Sequence, residues 1–176
     1  MLKKLVLFVC LLWSTGADAV GFSQKMEVEI GVFDAAAITL DYNEGGGRYD
    51  IKAAVATANL FDTLYPFFGQ YQSVGKVLKN GELQPEEYKT SNKTRSDMRR
   101  KNVYYDKKGK AYKSVSAKDE REKTHLLDNV PQTADAADLQ TVFAELIKKF
   151  RAKKSCAMVR EVFDRKKHYK VIIKDT

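Results

Sequence analysis

A strict alternation of apolar and polar residues constrains the fold of this chain more than any other feature. Met26, Val28, Ile30 and Val32 alternate with charged or small residues, and successive side chains of a β-strand point to opposite faces. The same period of two recurs at residues 38–42, 49–55, 71–78, 85–93, 98–105, 111–116, 156–163 and 168–174. Turn residues separate these segments, which predicts an antiparallel meander.

Two of the connections carry glycine turn signals. Residues 43–47 (Asn-Glu-Gly-Gly-Gly) join two predicted strands. A phosphate-binding glycine loop instead opens a helix, so this segment predicts a hairpin loop. Asn80-Gly81 is the strongest short hairpin signal in the chain.

One segment predicts an amphipathic helix. Asp135 is a suitable N-cap, and Asp138 adds negative charge to the first turn. Apolar residues then recur at the spacing of one helical face, and they are Leu139, Val142, Phe143, Leu146, Ile147 and Phe150. Because such a face must pack on something, we expect the helix to cover the concave side of the sheet.

The alternation also breaks at residues 59–68, where large apolar residues precede Gly69. This segment predicts a short helical turn followed by a bend at Pro66. It either plugs one end of the sheet or forms an aromatic lip beside a ligand opening. The expected fold is therefore mainly β (α+β), an antiparallel meander that forms a curved sheet or partial barrel with one amphipathic helix on its concave face.

The first nineteen residues have the three-part pattern of a secretory signal peptide. Lys3 and Lys4 precede an apolar run at residues 5–13, and Ala17-Asp18-Ala19 is a small-residue cleavage site. The run is far shorter than the ~20 residues that span a bilayer. We therefore expect a signal peptide at 1–19, a single β-rich domain at 20–176, no transmembrane segment after cleavage, and a periplasmic or secreted protein.

Cysteine use agrees with a fold that needs no disulfide. Cys10 lies within the signal peptide, so Cys156 is the only thiol of the expected mature chain. It is interpreted as a small buried residue at the start of a strand, or as a free thiol for an intermolecular bridge.

The formal net charge of +8 is concentrated at residues 93–113, where nine basic residues accompany only Asp97 and Asp106. In an exported protein such a segment meets lipid, lipopolysaccharide or a cell-wall component rather than nucleic acid. The candidate contacts with an anionic surface are Arg95, Arg99, Arg100, Lys101, Lys107 and Lys108. The alternative is a solvated strand face that serves solubility and edge protection.

No catalytic pattern is present in the sequence. His125 and His168 are the only histidines, and neither belongs to a nucleophile motif or to a cluster with metal-ligand spacing. We expect a non-enzymatic protein with no catalytic residues, no cofactor and no metal site.

Several short motifs resemble a known family. In chain order they are Leu60-Phe61, Tyr65-Pro66, Tyr71-Gln72-Ser73, a basic hairpin at residues 88–106, the helix start at 138–143, Val162-Phe163-Asp164 and Tyr169. This order is similar to that of the bacterial envelope family catalogued as domain of unknown function 3108. The resemblance implies an envelope compartment and a β-rich fold with a packed helix, in a short or truncated member. It implies no catalytic residues, because the family has none assigned.

Two functional hypotheses follow. The first is a binding or carrier module that holds an apolar or amphiphilic envelope molecule, with a pocket lined by Phe61, Tyr65, Phe143 and Ile147. The second is an envelope scaffold or interaction protein that has no cavity and docks on anionic surfaces through the basic hairpin.

The leader generates the first testable prediction. Cleavage after Ala19 should give a mature protein that begins at Val20. N-terminal sequencing of the exported protein checks this expectation. Recovery of a chain that still begins at Met1 from the soluble cytoplasmic fraction would contradict it.

Overall fold

The alternating segments form an antiparallel sheet in which every strand pairs with its neighbours in sequence. The computed structural model describes residues 20–127, 136–164 and 167–174. The sheet contains β1 (Val20–Ile30), β2 (Phe33–Gly45), β3 (Arg48–Thr57), β4 (Phe67–Val77), β5 (Leu83–Thr94), β6 (Met98–Tyr105), β7 (Ala111–Lys118) and β8 (Arg121–Leu126). A separate hairpin contains β9 (Met158–Asp164) and β10 (Lys167–Ile173), and the helices are α1 (Asn59–Leu64) and α2 (Leu139–Lys153).

The predicted fold class is confirmed: the protein is mainly antiparallel β, with a meander sheet and one long helix. The eight-stranded sheet is open, because β1 and β8 are its two edges. The tight turn between β2 and β3 depends on Gly46 and Gly47, whose φ angles are 58° and 73°. Positive φ at both central residues matches the right-handed twist of a hairpin, so this turn favours glycine.

We call the face on which α2 packs the inner face of the sheet. Every second side chain of each strand points to this face. Tyr42, Ile51, Ser73, Tyr88 and Val103 occupy one cross-strand row of this face. Helix α2 lies over β3, β4 and β5 at this row and also contacts β9. The first core cluster therefore joins Tyr42 and Ile51 to Ala144 of the helix.

A second core cluster lies further along the inner face. Val103 and Tyr105 of β6 pack there with Phe163 of β9, beside Leu127 and Ala136. The β9–β10 hairpin thereby packs through Phe163 on β6, beyond the strands that α2 contacts.

The predicted contact face of α2 is only partly right. Leu139, Phe143 and Phe150 are about half exposed, at 51%, 46% and 47%, although Val142 is buried and Ile147 packs against the first cluster. The residues buried on the helix are instead Thr141, Val142, Ala144 and Glu145. The helix is capped by Asp138, and Asp135, the predicted cap, lies outside the described residues.

The reason for this orientation is a set of polar contacts beneath the helix. Arg160 of β9 forms an ion pair with Glu145, with 2.8 Å between Nε and Oε2. The backbone N–H of Leu83 donates to Oε1 of Glu145 at 2.7 Å, and Arg160 donates to the Leu83 carbonyl oxygen at 3.2 Å. These bonds tie α2, β5 and β9 together, and they require Glu145 rather than Phe143 to face the sheet.

This arrangement predicts different costs for two substitutions. Arg160→Met leaves the Glu145 carboxylate buried without its charge partner, and breaking a buried pair costs ~3–5 kcal/mol of unfolding free energy. Phe143→Ala should cost well below the ~3–5 kcal/mol of a buried aromatic residue, because nearly half of the ring already faces solvent. Urea denaturation of both variants measures the difference.

The double variant Glu145→Leu/Arg160→Met serves as the control. It removes both charges and should recover part of the stability that Arg160→Met loses. Equal destabilisation by Phe143→Ala and Arg160→Met would contradict the observed rotation of the helix.

Candidate functional site

A large cavity among the described residues has a volume of about 760 Å³. It lies between the inner face of β4–β8 and the β9–β10 hairpin, and the first residue of α2, Leu139, borders it. Small-molecule sites in proteins have volumes of ~300–1,000 Å³. The cavity is therefore large enough for a small ligand.

One side of the cavity is aromatic. Tyr71, Tyr88, Phe163 and Tyr169 line it. The ring of Tyr71 lies over Gly69, since a Cβ atom at Gly69 would come within 2.8 Å of the Tyr71 hydroxyl and 2.9 Å of its Cε2. Burial raises the pKa of the Tyr71 phenol. Gly69 thus provides the space that seats this ring against the strand.

The other side of the cavity is basic. Among the described residues, the lining contains six basic residues and no acidic one; the basic residues are Arg99, Arg100, Lys101, Lys118, Arg121 and Lys123. Asp97, in the β5–β6 turn, contacts Arg99 at 2.9 Å and Lys118 at 3.3 Å. The hydrogen bond from Arg99 lowers the pKa of Asp97. The ammonium group of Lys101 lies 5.8 Å from the centre of the Tyr88 ring, within the range of a cation–π contact.

The structure places the residues of the predicted basic segment on different faces and at different ends of the sheet. Arg99 and Lys101 point to the inner face, whereas Arg100, between them, points to the opposite face by strand alternation. Arg100 also borders a second groove of about 380 Å³ on that face. Lys107 and Lys108 lie in the β6–β7 turn, and β6 places them roughly 25 Å from Arg99 at ~3.4 Å per residue.

Arg95 holds a different position. It donates a hydrogen bond to the carbonyl oxygen of Thr63, so it joins the β5–β6 turn to α1. Helix α1 also lies against β2 and β3. The aromatic segment of α1 is thus at the same end of the sheet as Arg99.

The four residues predicted to line an apolar pocket are distributed around the molecule. Phe61 is half-buried on α1, and Tyr65, just after α1, is 73% exposed. Phe143 is on the exposed side of α2, and Ile147 packs on the first core cluster. None of them lines the large cavity.

Sequence reasoning missed much of the cavity lining because it missed β8. All six residues of β8 are exposed, and this edge strand lacks the apolar alternation that marked the others. Lys123 is paired with Ser116, and Ser116 with Lys101. The strand register could have located the site. Continuing the pairing of the predicted hairpins by one more strand, to residues 121–126, would have placed Lys123 beside Ser116 and Lys101.

A buried polar cluster lies under the start of α2. Ser73 Oγ and Thr141 Oγ1 both donate to Oδ2 of Asp138 at 2.8 Å, and the Thr141 backbone N–H donates to Oδ1 at 2.9 Å. The Tyr49 hydroxyl lies 2.7 Å from Thr141 Oγ1. All four side chains are at most 3% exposed. The cluster caps the helix and is buried among the described residues.

The two histidines lie elsewhere. His125 Nε2 is 3.4 Å from Ser116 Oγ, and His168 Nε2 is 3.1 Å from Glu161. Within the described ranges, no group of three or more His, Cys, Asp or Glu side chains could hold a metal ion. Neither helix of the described chain is long and apolar enough to cross a membrane.

Comparisons with known protein families, with curated proteins and with solved structures find no match for this chain. The resemblance to the envelope family therefore stays a prediction.

The buried cap gives a pH-dependent prediction. Burial raises the pKa of Asp138 in the folded protein, so the folded state retains this proton above ~pH 3.9, where an unfolded Asp releases it. The stability contributed by protonated Asp138 is complete below that pH and is lost as the pH rises through the folded-state pKa. The stability advantage of the wild-type protein over Asp138→Asn should therefore decrease as the pH rises.

Urea denaturation of both proteins over a pH series measures this trend. All other titrating groups are shared, so their effects cancel in the difference. An advantage that grows with pH would show that the folded state favours the ionised carboxylate.

Proposed function

We propose that this protein is an exported, non-enzymatic binding or carrier module for an amphiphilic molecule of the cell envelope. The observation that carries the proposal is the cavity of about 760 Å³ with an aromatic side and a basic side. An amphiphile has the same two parts, so one molecule could satisfy both sides at once.

The aromatic side supplies the binding energy. Tyr169, Leu139 and Tyr71 present apolar surface to the cavity, and Leu139 is 51% exposed. Covering apolar surface stabilises a complex by ~25 cal/mol per Å² before the entropy cost of association. A purely polar ligand would leave this surface in contact with water.

The expected leader at residues 1–19 supports the exported location. An amphiphile of the envelope then shares a compartment with the protein, and the resemblance to an envelope family is consistent with that compartment.

The alternative is a scaffold protein that docks on an anionic surface through its basic hairpin. The exposed Lys107 and Lys108 in the β6–β7 turn favour it. However, Arg99 and Lys101 face the inner side of the sheet, Arg100 faces the other side, and the turn lies at the opposite end. A flat surface would reach only one of these groups at a time, which favours the cavity.

An uncharged naphthylamine fluorophore tests the proposal. It should bind the wild-type protein with enhanced emission, and Tyr71→Ala should weaken its binding about tenfold, which corresponds to ~1.4 kcal/mol. Gly69→Ala should also weaken binding, because the new Cβ would displace the Tyr71 ring. Melting temperatures of the variants separate loss of the site from loss of the fold.

Tyr65→Ala is the matched control. It removes the same side chain from a position outside the cavity and should leave the affinity unchanged. Failure of the wild-type protein to bind the fluorophore, or an equal loss in Tyr65→Ala and Tyr71→Ala, would contradict a ligand site in this cavity.

A further inference from the structure

The register of the sheet arranges the inner face in cross-strand rows. Beside the row that α2 covers, a second row contains Leu40, Ala53, Tyr71, Thr90, Lys101, Ser116 and Lys123. A third row contains Met26, Ile38, Val55, Gly69, Asn92, Arg99, Lys118 and Arg121. Residues of one row lie side by side on adjacent strands, about 4.8 Å apart.

In both rows, the side chains change from apolar to basic in the direction from β1 to β8. Their members on β1, β2 and β3 are mainly apolar, and their members on β6, β7 and β8 are mainly basic. Tyr71 and Gly69 of β4 stand at the boundary. The inner face beyond α2 is therefore apolar at one edge of the sheet and cationic at the other.

The apolar edge retains accessible surface. Met26 is 37% exposed and Val28, the next inward residue of β1, is 39% exposed. Leu60 and Leu64 of α1, which lies against β2 and β3, are 50% and 53% exposed. Exposed apolar surface commonly marks a binding site.

The basic edge has more basic than acidic side chains among the described residues. Asp97 contacts Arg99 and Lys118, Asp119 also raises the pKa of Arg99, and Arg121 and Lys123 add two further cations to the lining. Arg121 and Lys123 of β8 complete this edge of the two rows. Phosphate and carboxylate groups bind such clusters through charge-assisted hydrogen bonds, and arginine can bind them with two parallel bonds.

We infer that the ligand is an anionic amphiphile. Its phosphate or carboxylate head group binds the basic edge at Arg121 and Lys123, and its apolar chain crosses Tyr71 toward Val55 and Met26. From Lys123 on β8 to Tyr71 on β4, in the same row, is four strand spacings, or about 19 Å, so an extended acyl chain with its head group at Lys123 can reach Tyr71. This inference rests on the proposed function and specifies the class of its ligand.

Displacement of the uncharged fluorophore tests the head group separately from the chain. Dodecyl phosphate, dodecyl maltoside and dodecyltrimethylammonium share one chain and differ in charge, and each is added below its micelle concentration. The phosphate should displace the fluorophore at a concentration at least about tenfold lower than the other two. Inorganic phosphate, which lacks the chain, should not displace it.

Paired variants identify the binding edge. Arg121→Gln/Lys123→Gln should abolish the preference for dodecyl phosphate over dodecyl maltoside, because it removes the cations of the basic edge that hold the head group. Lys107→Gln/Lys108→Gln removes the same charge from the distant turn and should keep the preference. Both pairs are exposed, so neither is expected to unfold the protein.

The outcomes separate this inference from the proposed function. Equal displacement by the three amphiphiles would overturn the anionic ligand and leave the cavity function standing. Absence of fluorophore binding would overturn the cavity function, and calorimetric titration with dodecyl phosphate would then test the inference directly. Binding to anionic vesicles but not to monomeric dodecyl phosphate would overturn it in favour of surface docking.

Discussion

The polar attachment of α2 to the sheet is the constraint on which the rest of the structure depends. Asp138 and Thr141 bind Ser73 of β4, and Glu145 binds both Arg160 of β9 and the backbone of β5. These contacts occur at successive turns of the helix, so they fix both its rotation and its position along the strands. Unpaired buried polar groups are costly, and any other rotation would leave several of them without partners.

This attachment determines what the helix leaves open. Because its polar side faces the sheet, Leu139, Phe143 and Phe150 face outward, and Leu139 reaches the border of the cavity. The helix also covers only the part of the inner face around Tyr42, Tyr49 and Ser73. On β4 to β8, the rows of Tyr71 and Gly69 are thereby left for the hairpin and for a ligand.

The sequence predicted the parts of the structure in which local pattern and burial agree. Alternation located β1 to β7 and the β9–β10 hairpin, because each of these strands has an apolar side. It did not locate β8, whose residues are all exposed and mostly polar. The rotation of α2 was also inaccessible, since a helix with six well-spaced apolar residues gives no local sign that Thr141 and Glu145 will be buried. Their partners, Ser73 and Arg160, are far away in sequence and are brought near only by the fold.

The same long-range pairing explains why the candidate site was only half predicted. Arg99, Arg100 and Lys101 were identified from charge density, and strand alternation then placed Arg100 on the other face. Tyr71 and Lys123 could be related to them only through the register of several hairpins in succession. A one-residue slip in any of these pairings would move a whole strand's side chains to the opposite face, so composition alone could not locate the aromatic side of the cavity.

The basic rows also give a physical reason for the cavity to remain open. Transferring an uncompensated Lys or Arg from water to the protein interior costs several kcal/mol. If the β9–β10 hairpin closed onto β6, β7 and β8, it would bury Arg121 and Lys123, whereas the described residues of the lining include no carboxylate to pair with them. The aromatic residues favour closure and the cations oppose it, so the hairpin can pack at Phe163 but not over the basic edge. An anionic group that enters from outside would neutralise these cations and so lower the cost of covering them. The positive charge of the cavity and its open state therefore have the same physical cause.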